Sequence, residues 1–202
     1  MKPIKPIAIA LTGASGMPYA ITLLKELVKS QEKIYVMISQ AANTVIAMET
    51  DLNLGADTKA IEKNLTDYLG AKTGQIEVFS KNQWTAPVAS GSNPPRAMVV
   101  CPCTMSTLSA IANGHADNLM HRAADVVIKE QKKLILVPRE TPYSAIHLEN
   151  MLKLSRLGVV IMDANPAFYQ NPNSIQDLVN FVVARILDHL DVDHDLAPPW
   201  QG

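Results

Sequence analysis

The sequence of 202 residues has few aromatic side chains, little net charge and no long apolar run. A formal charge of −1 gives no electrostatic case for binding nucleic acid or an anionic membrane. No apolar run approaches the ~20 residues that a membrane-spanning helix needs. The first residues superficially resemble a signal peptide, but Pro3, Pro6 and the glycine turn after them fit a first strand better. We therefore expect a cytoplasmic protein with neither a nucleic-acid nor a membrane partner.

Cysteine is also scarce, because Cys101 and Cys103 in the segment VVCPCTMS are the only two. Since they are two residues apart on an extended segment, their side chains should point to the same face of the sheet. There is no second cysteine pair for a zinc site, and the five histidines lack the HxxxH spacing of metal ligands. We expect reduced thiols and no metal. The absence of GxSxG argues against a serine hydrolase.

The sequence does have a regular alternation of strand and helix signals. Short apolar runs predict strands at residues 7–11, 34–38, 76–79, 97–101, 134–137 and 159–162. Apolar stripes and capping residues predict helices at 17–29, 41–50, 104–112, 118–131, 144–157 and 174–190, with room for one more between 51 and 74. This order predicts an α/β fold with a doubly wound, mainly parallel sheet, in a Rossmann-like or flavodoxin-like three-layer sandwich. We expect one domain over residues 1–190 and an extended tail, 191–202, that contributes to the site or to a subunit interface.

A glycine turn joins the first strand to the first helix, in the segment LTGASGMPYA. Gly13 and Gly16 bracket Ala14 and Ser15, and glycine permits both a sharp turn and the close approach of a ligand. The following helix would aim its free N–H groups and the positive end of its dipole at this turn, so a phosphate or another anion is the natural occupant. The turn lacks the full GxGxxG pattern and the lysine of a P-loop. The alternative is a plain strand-to-helix turn in which Ser15 only caps the helix.

Ligands of doubly wound folds lie beyond the carboxyl ends of the strands, where the strand order switches. Two predicted strand-end loops carry suitable groups. In CPCTMST, the residues Thr104, Ser106 and Thr107 offer hydroxyl and N–H groups at a helix start. In VPRETPYS, Arg139 and Glu140 directly follow a buried strand, which suggests anion binding together with proton transfer. The alternative for this pair is a solvated ion pair on a surface loop.

Other charged candidates lie on predicted helices. Glu49, in the apolar segment TVIAMET, is either an acid drawn into a site with a raised pKa or a residue on the exposed side of its helix. Arg122, Lys129 and Arg185 also fall on helices, where most charges are solvated. The pattern alone assigns no role to any of these four residues.

Several segments together resemble the UbiX-type flavin prenyltransferases, namely LTGASGMPYA, APVASGS, VVCPCTMSTLSAIANGHADNLMHRAADVVIKEQKKLILVPRETPYSAIHLENMLKLSRLGVVIM and ANPAFY. The resemblance covers almost the entire chain, and VPRETP and APVASGS are more specific than the glycine turn. It implies the transfer of a dimethylallyl group from dimethylallyl monophosphate to N5 and C6 of reduced FMN, without a metal. The prenylated FMN would serve a UbiD-type decarboxylase. It also implies a homo-oligomer, usually a dodecamer, with sites at subunit interfaces.

The resemblance also implies roles for individual residues. FMN would be held by the glycine turn and three further strand ends, namely Gly13, Ala14, Ser15, Ser39, Thr104, Met105, Ser106, Thr107 and Arg139. Arg139 would lie between flavin and prenyl phosphate, and Glu140 would protonate the departing phosphate. Glu49 and Ser15 would manage the proton at the flavin. The prenyl phosphate would be gripped, partly from a neighbouring subunit, by Arg122, Lys129, Tyr169 and Arg185, with Trp84 and Trp200 as aromatic walls.

Two alternatives stay open. FMN-dependent cysteine decarboxylases share the sandwich and FMN binding, but PCTMST replaces their PASANT turn here, and VPRETP stands where their PxMN motif would be. The other alternative is a non-catalytic FMN-binding or regulatory subunit. The joint presence of Glu49, Arg139, Glu140 and Arg185 argues against a chain that only binds FMN.

Overall fold

Six strands form one parallel sheet in the computed structural model, which describes residues 5–197. The strands are β1 (Ile7–Leu11), β2 (Ile34–Ile38), β3 (Ile76–Phe79), β4 (Ala97–Cys103), β5 (Lys133–Pro138) and β6 (Val160–Ile161). Their order across the sheet is β3-β2-β1-β4-β5-β6, and every neighbouring pair runs parallel. The predicted α/β fold with a doubly wound sheet is therefore confirmed.

Seven helices within the described part of the chain cover the two faces of this sheet. They are α1 (Met17–Lys29), α2 (Gln40–Glu49), α3 (Thr58–Leu69), α4 (Met105–Ala112), α5 (Leu119–Lys129), α6 (Ala145–Arg156) and α7 (Ile175–Leu190). The sheet separates two hydrophobic cores, one on each face. In β1, the side chains of Ile7, Ile9 and Leu11 join the core beneath α1 and α7. Ala8 and Ala10 join the core beneath α4 and α5. Both faces are buried, which explains why the strands are continuously apolar.

Every predicted element begins and ends within two residues of an observed one. The helix left open between 51 and 74 is α3, which Asp57 caps and Gly70 ends in a left-handed conformation with φ 64°. Ser39, Thr104 and Ser174 cap helices as serine and threonine usually do. The local signals of cap and apolar period were therefore sufficient to locate the elements.

The two cysteines contradict one prediction, because their side chains lie on opposite faces of the sheet. Cys101 packs in the core beneath α1 and α7, and Cys103 packs in the core beneath α4 and α5. The register between β4 and β5 shifts between Val100 and Cys103, so the regular alternation of side chains is interrupted there. Both thiols are free and buried, and burial raises the pKa of Cys101 to about 12 and also raises that of Cys103.

A partly buried arginine anchors the end of α7 to the amino-terminal edge of the sheet. Arg96, just before β4, donates from Nη1 to the Leu190 carbonyl at 3.0 Å and from Nη2 to Glu32 Oε1 at 2.6 Å. The Arg96 and Glu32 side chains are only 28% and 16% exposed. Lys133, which opens β5, donates to the His189 carbonyl in the same last turn of α7. α7 therefore begins near the carboxyl ends of the strands and finishes at their opposite edge.

None of the helices between residues 5 and 197 is long and apolar enough to cross a membrane.

The Arg96 anchor leads to a prediction about stability. Arg96→Ala removes the partner of a largely buried carboxylate and of the α7 carbonyl, so the free energy of unfolding should fall by about 1–3 kcal/mol. Lys63→Ala is the control, because Lys63 and Asp67 form an exposed ion pair, and such pairs contribute little. Chemical denaturation of both variants measures the difference. Equal losses in the two variants would show that Arg96 is no anchor.

Candidate active site

The strand order creates a crevice at the carboxyl edge of the sheet. β1 has β2 on one side and β4 on the other, so the chain turns in opposite directions from the ends of β1 and β4. This is the switch point at which doubly wound folds bind ligands. The glycine turn follows β1, Ser39 follows β2, Thr104 follows β4 and Arg139 follows β5. The predicted crevice is thus present, and four of the predicted segments border it.

Thr12, directly after β1, is hydrogen-bonded to the end of β4 on the other side of this crevice. Its Oγ1 donates to the Pro102 carbonyl at 2.7 Å and accepts from the Thr104 N–H at 2.8 Å. The residue is 1% exposed and is one of only two polar residues in the described chain that are buried. The sequence analysis missed it. The available signal was a hydroxyl side chain between an apolar strand and a glycine.

A cavity of about 330 Å³ opens at the crevice, within the size range of small-molecule sites. Three helices, α2, α4 and α5, begin at its wall, and their caps are Ser39, Thr104 and Asn118. In each cap the side-chain oxygen accepts one N–H of the first turn, at 3.0–3.2 Å. Other N–H groups of a first helical turn have no partner within the helix. The cavity therefore presents N–H and hydroxyl donors suited to a phosphate-bearing ligand.

The cavity wall includes some predicted cofactor residues and omits others. Gly13, Ser39, Thr104, Ser106 and Thr107 line it. Four predicted contacts lie outside its lining, namely Ala14, Ser15, Met105 and Arg139. Ala14 and Met105 are buried in the protein, at 4% and 8% exposure. The lining also includes polar residues that were not predicted from the sequence, among them Lys81, Asn118 and His121.

The glycine turn packs directly against α2. A Cβ atom on Gly13 would overlap the Cβ of Ala41 and would lie 3.3 Å from the Ala41 carbonyl carbon. Gly13 is therefore required by a close approach of backbone to backbone. The conformation of Gly16, with φ 120°, also favours glycine.

The amino terminus of α1 binds an anion, but that anion belongs to the protein. Glu49, the last residue of α2, accepts with Oε2 from the N–H groups of Gly16 at 2.9 Å and Met17 at 2.8 Å. The anion predicted at this helix end is thus a protein carboxylate, which accepts the first donors in place of a ligand phosphate. Ser15 does not cap α1 with its side chain, which excludes the other reading of the turn.

The environment of Glu49 keeps it ionised. Burial alone would raise the pKa of Glu49, but the Ser15 hydroxyl, the Gly16 and Met17 N–H groups and the Arg139 charge together lower it below its ordinary value. Of the two alternatives left open for Glu49, a raised pKa is not supported, because the donors around the carboxylate outweigh its burial. Because the folded-state pKa is lowered, the contact stabilises the fold above the ordinary glutamate pKa of about 4.3 and is lost as the pH falls through the lowered value.

The loop after β5 holds a cation and a carboxylate at the crevice edge. The Arg139 N–H donates to the Cys103 carbonyl at 3.4 Å, and Arg139 contributes to the lowered pKa of Glu49. Glu140 is partly exposed and accepts with Oε1 from the Thr141 N–H at 3.2 Å. Tyr143 secures the loop by donating to Asp163 at 2.7 Å. Burial and this hydrogen bond raise the pKa of Tyr143 to about 12, so it remains a donor at neutral pH.

Two of the predicted phosphate-binding cations lie on α5, on one face of the sheet. Arg122 donates to the Ala89 carbonyl at 3.2 Å and to Asp125 at 2.6 Å, so it ties α5 to the loop containing APVASGS. Lys129 ends α5 and pairs with Glu130 beside Gly91. Since α5 begins at the cavity, Lys129 lies about 15 Å away along the helix axis.

Tyr169 and Arg185 lie together on the other face. The Tyr169 ring packs edge-on against Phe181 at 6.0 Å, and both Tyr169 and Arg185 line a second cavity of about 590 Å³. Arg185 lies about 15 Å from the start of α7, toward the edge of the sheet opposite the crevice. The single chain therefore does not bring Lys129 and Arg185 together, nor does it bring either to Arg139. Trp84 lies half-exposed in the loop before Ala86, and Trp200 lies outside the described residues.

Among residues 5–197 there is no group of three or more histidine, cysteine, aspartate or glutamate side chains that could hold a metal ion.

The chain is similar in sequence and in structure to known flavoproteins. The profile of the Flavoprotein family matches residues 1–187. A protein named flavin prenyltransferase UbiX from Pseudomonas aeruginosa is 55% identical over 194 residues, covering 96% of this chain and 93% of the relative. The structure of AnUbiX (PadA1) in complex with FMN and dimethylallyl pyrophosphate is 39% identical, with a TM-score of 0.87 and 98% of both chains covered. A dodecameric FMN-dependent UbiX-like decarboxylase from Escherichia coli O157:H7 is 39% identical, with a TM-score of 0.85 and coverage of 98% of this chain and 100% of that one.

The packing of the glycine turn leads to a prediction with a matched control. Gly13→Ala forces the turn away from α2, so we expect a loss of about 1–3 kcal/mol in the free energy of unfolding and weaker FMN binding. Gly91→Ala is the control, because a Cβ at position 91 would meet only the flexible ends of Lys129 and Glu130. It should leave both the stability and the FMN affinity nearly unchanged.

Thermal or chemical unfolding and FMN titration measure the two glycine variants side by side. Unimpaired FMN binding in Gly13→Ala would refute the required close approach at this turn.

Proposed function

The chain belongs to the UbiX flavin prenyltransferases of the Flavoprotein family, and we propose that its crevice joins a dimethylallyl group from dimethylallyl monophosphate to N5 and C6 of reduced FMN. The observation that carries this proposal is the crevice itself. A donor-lined cavity lies at the switch point beside the glycine turn, Ser39 and Thr104. The Arg139 charge, from the loop after β5, acts on the ionised Glu49 at the same glycine turn. The family membership does not favour the cysteine decarboxylase or the non-catalytic subunit.

The residues at the crevice fit FMN. The cavity offers first-turn N–H groups and the hydroxyls of Ser39, Thr104 and Ser106 to a phosphate and a polar chain. The α1 terminus is unsuitable for that phosphate, since the Glu49 carboxylate already occupies it. We therefore place the FMN phosphate at the α2 and α4 termini, with the flavin ring extending toward Ser15 and Arg139. Reduced FMN would supply the two ring atoms that accept the prenyl group.

Cleavage of the allylic C–O bond determines what the chain must provide. Negative charge develops on the departing phosphate and positive charge on the dimethylallyl fragment. Arg139 stabilises the phosphate charge, and Glu140 donates a proton to it, which improves a monophosphate as a leaving group without a metal. The half-exposed Trp84 offers an aromatic face to the allylic cation. A closed site would keep water away from that cation.

Whereas Glu140 donates a proton, Glu49 accepts one. For the second bond, the proton released from N5 in the first step would add to the prenyl double bond, the resulting tertiary carbon would bond to C6, and a base must accept the ring proton that C6 loses. The lowered pKa of Glu49 means that its carboxylate is ionised at neutral pH and ready to accept. The exposed Ser15 hydroxyl is one of the groups that lower the pKa of this carboxylate. We assign Glu49 as the base and Ser15 as the group that relays the proton.

The site is completed by neighbouring copies of the chain. Arg122 and Lys129 lie on α5, and Tyr169 and Arg185 lie against α7 on the opposite face, so none of these four belongs to the crevice of its own chain. Exposed apolar side chains on α6, among them Ile146, Leu148 and Leu152, provide surface for assembly. We propose a homo-oligomer, built as a dodecamer like the relative from Escherichia coli, in which the four residues converge on a neighbour's crevice and grip the prenyl phosphate.

Three further proposals extend beyond the chain itself. The prenylated FMN would be handed to a UbiD-type decarboxylase, which consumes it as a cofactor. The protein would act in the cytoplasm, where both buried cysteines remain reduced. Residues 191–202 would complete the prenyl pocket, with Trp200 as a second aromatic wall.

The flavin itself provides the test of the proposed function. The protein is incubated with reduced FMN and dimethylallyl monophosphate in the presence of EDTA, and the extracted flavin is analysed by mass spectrometry. We expect FMN that has gained one dimethylallyl unit, because protein side chains supply every cation at the phosphate. Unmodified FMN, or a product that forms only after magnesium is added, would contradict the proposal.

The role of Glu49 can be tested separately. In Glu49→Gln the amide can no longer accept the ring proton, so flavin bonded at N5 alone should accumulate in place of the four-ring product. Absorbance spectra and mass spectrometry of the extracted flavin distinguish the two species. FMN titration of the same variant is the control for binding. Full conversion to the four-ring product would remove Glu49 from the mechanism.

A further inference from the structure

The cavity that contains Tyr169 and Arg185 also contains two side chains without an assigned role. Asp188 and His194 line it together with Arg185, and the segment after α7 forms one wall. Asp191 ends α7 in a left-handed conformation with φ 55°, which reverses the chain. The buried side chain of Val192 follows, so residues 193–197 return along the surface of α7. This reversal brings the His194 side chain next to Asp188, which lies six positions earlier in the sequence.

A chain of hydrogen bonds connects this returning segment to Arg185. Arg185 Nη1 donates to Asp188 Oδ2 at 2.5 Å, and His194 Nε2 lies 3.1 Å from Asp188 Oδ1. The Leu196 N–H donates to His194 Nδ1 at 3.3 Å. Since Nδ1 accepts, Nε2 carries the ring hydrogen and donates to Asp188. Each oxygen of the Asp188 carboxylate is therefore held by a different partner.

The position of Asp188 is not explained by the stability of its own helix. It lies in the last turn of α7, where the helix dipole disfavours a negative charge. The ion pair with Arg185 is also about half exposed, at 54% and 46%, and such pairs contribute little to stability. By contrast, the His194 side chain is only 9% exposed, so one end of the network is fixed. The arrangement orients Arg185 more than it stabilises α7.

We infer that Asp188 and His194 are positioning residues that hold the Arg185 guanidinium in the orientation that receives the prenyl phosphate. The inference rests on the proposed role of Arg185 as part of the phosphate grip. Asp188 engages Nη1 of Arg185, and the Arg185 side chain lines the cavity. His194 prevents Asp188 from turning away and ties its position to the backbone at Leu196. The segment after α7 thereby controls the phosphate site as well as carrying the tail with Trp200.

Substitutions in the network should act on phosphate binding and only through Arg185. His194→Ala and Asp188→Asn should each weaken the binding of dimethylallyl monophosphate by about two- to fivefold, as expected for a partly exposed charged contact. KM should rise by more than kcat falls. His194→Gln keeps an N–H donor for Asp188 and should recover most of the affinity. His115→Ala, at an exposed histidine outside the cavity, is the matched control.

A double-mutant cycle on the FMN-loaded oligomer gives the decisive measurement. The dissociation constant of dimethylallyl monophosphate is measured by calorimetry for Arg185→Ala, His194→Ala and the double variant, with FMN affinity and thermal unfolding in parallel. We expect His194→Ala to have no further effect when Arg185 is absent, because its influence passes through that side chain. FMN affinity should be unchanged in all variants.

The outcomes separate the inference from the function it rests on. If Arg185→Ala weakens binding and His194→Ala does not, the positioning network is refuted while the proposed phosphate site stands. If the two effects simply add, His194 acts independently of Arg185 and the inference is wrong. If Arg185→Ala itself leaves the affinity unchanged, both the proposed grip and the network are overturned. Failure of His194→Gln to recover affinity would also contradict the hydrogen bond to Asp188.

Discussion

The carboxylate of Glu49 at the amino terminus of α1 is the contact on which the rest of the crevice depends. Two backbone N–H groups of the glycine turn donate to it, so the end of α2 is fixed to the turn after β1. Because this anion occupies the helix terminus, a ligand phosphate must bind elsewhere, and the termini of α2 and α4 remain for it. The same donors keep Glu49 ionised, which is the state that a base requires. One interaction thus keeps Glu49 ionised and, in the proposed binding mode, determines the direction of the flavin.

The distribution of cations explains why such an enzyme assembles. Each α/β crossover begins at the carboxyl edge of the sheet and returns to the opposite edge, so residues late in α5 or α7 are carried away from their own crevice. Lys129 and Arg185 are in this position, on opposite faces of the sheet. Neither can reach Arg139 in the same chain, yet a dissociating allylic phosphate requires several cations. In the proposed closed oligomer, they would reach a neighbour's crevice and take the place of a metal ion.

The fold and part of the site could be predicted from the sequence, because they depend on signals between neighbouring residues. The rest of the site depends on contacts between residues far apart in the sequence. Caps and apolar periods are local, so the helices that begin after Ser39, Thr104 and Ser174 could be predicted. The partner of Glu49 could not, since it lies 33 residues away and depends on how α2 packs on the glycine turn. The prediction that the two cysteine side chains share one face of the sheet was wrong, because a register shift in β4 interrupts the regular alternation of side chains. The individual roles came from resemblance to a family, and they stay predictions.

The central claim is that each site is built from more than one chain, and subunit complementation tests it most directly. Glu49→Gln removes the base of the crevice, and Arg185→Ala removes a cation supplied by a neighbour. The two variants are co-expressed with different tags, and the mixed oligomers are purified through both. We expect four-ring product at about a quarter of the wild-type rate, because random assembly pairs an intact Glu49 with an intact Arg185 in that share of sites. Turnover no higher than the average of the two variants measured separately would contradict the account.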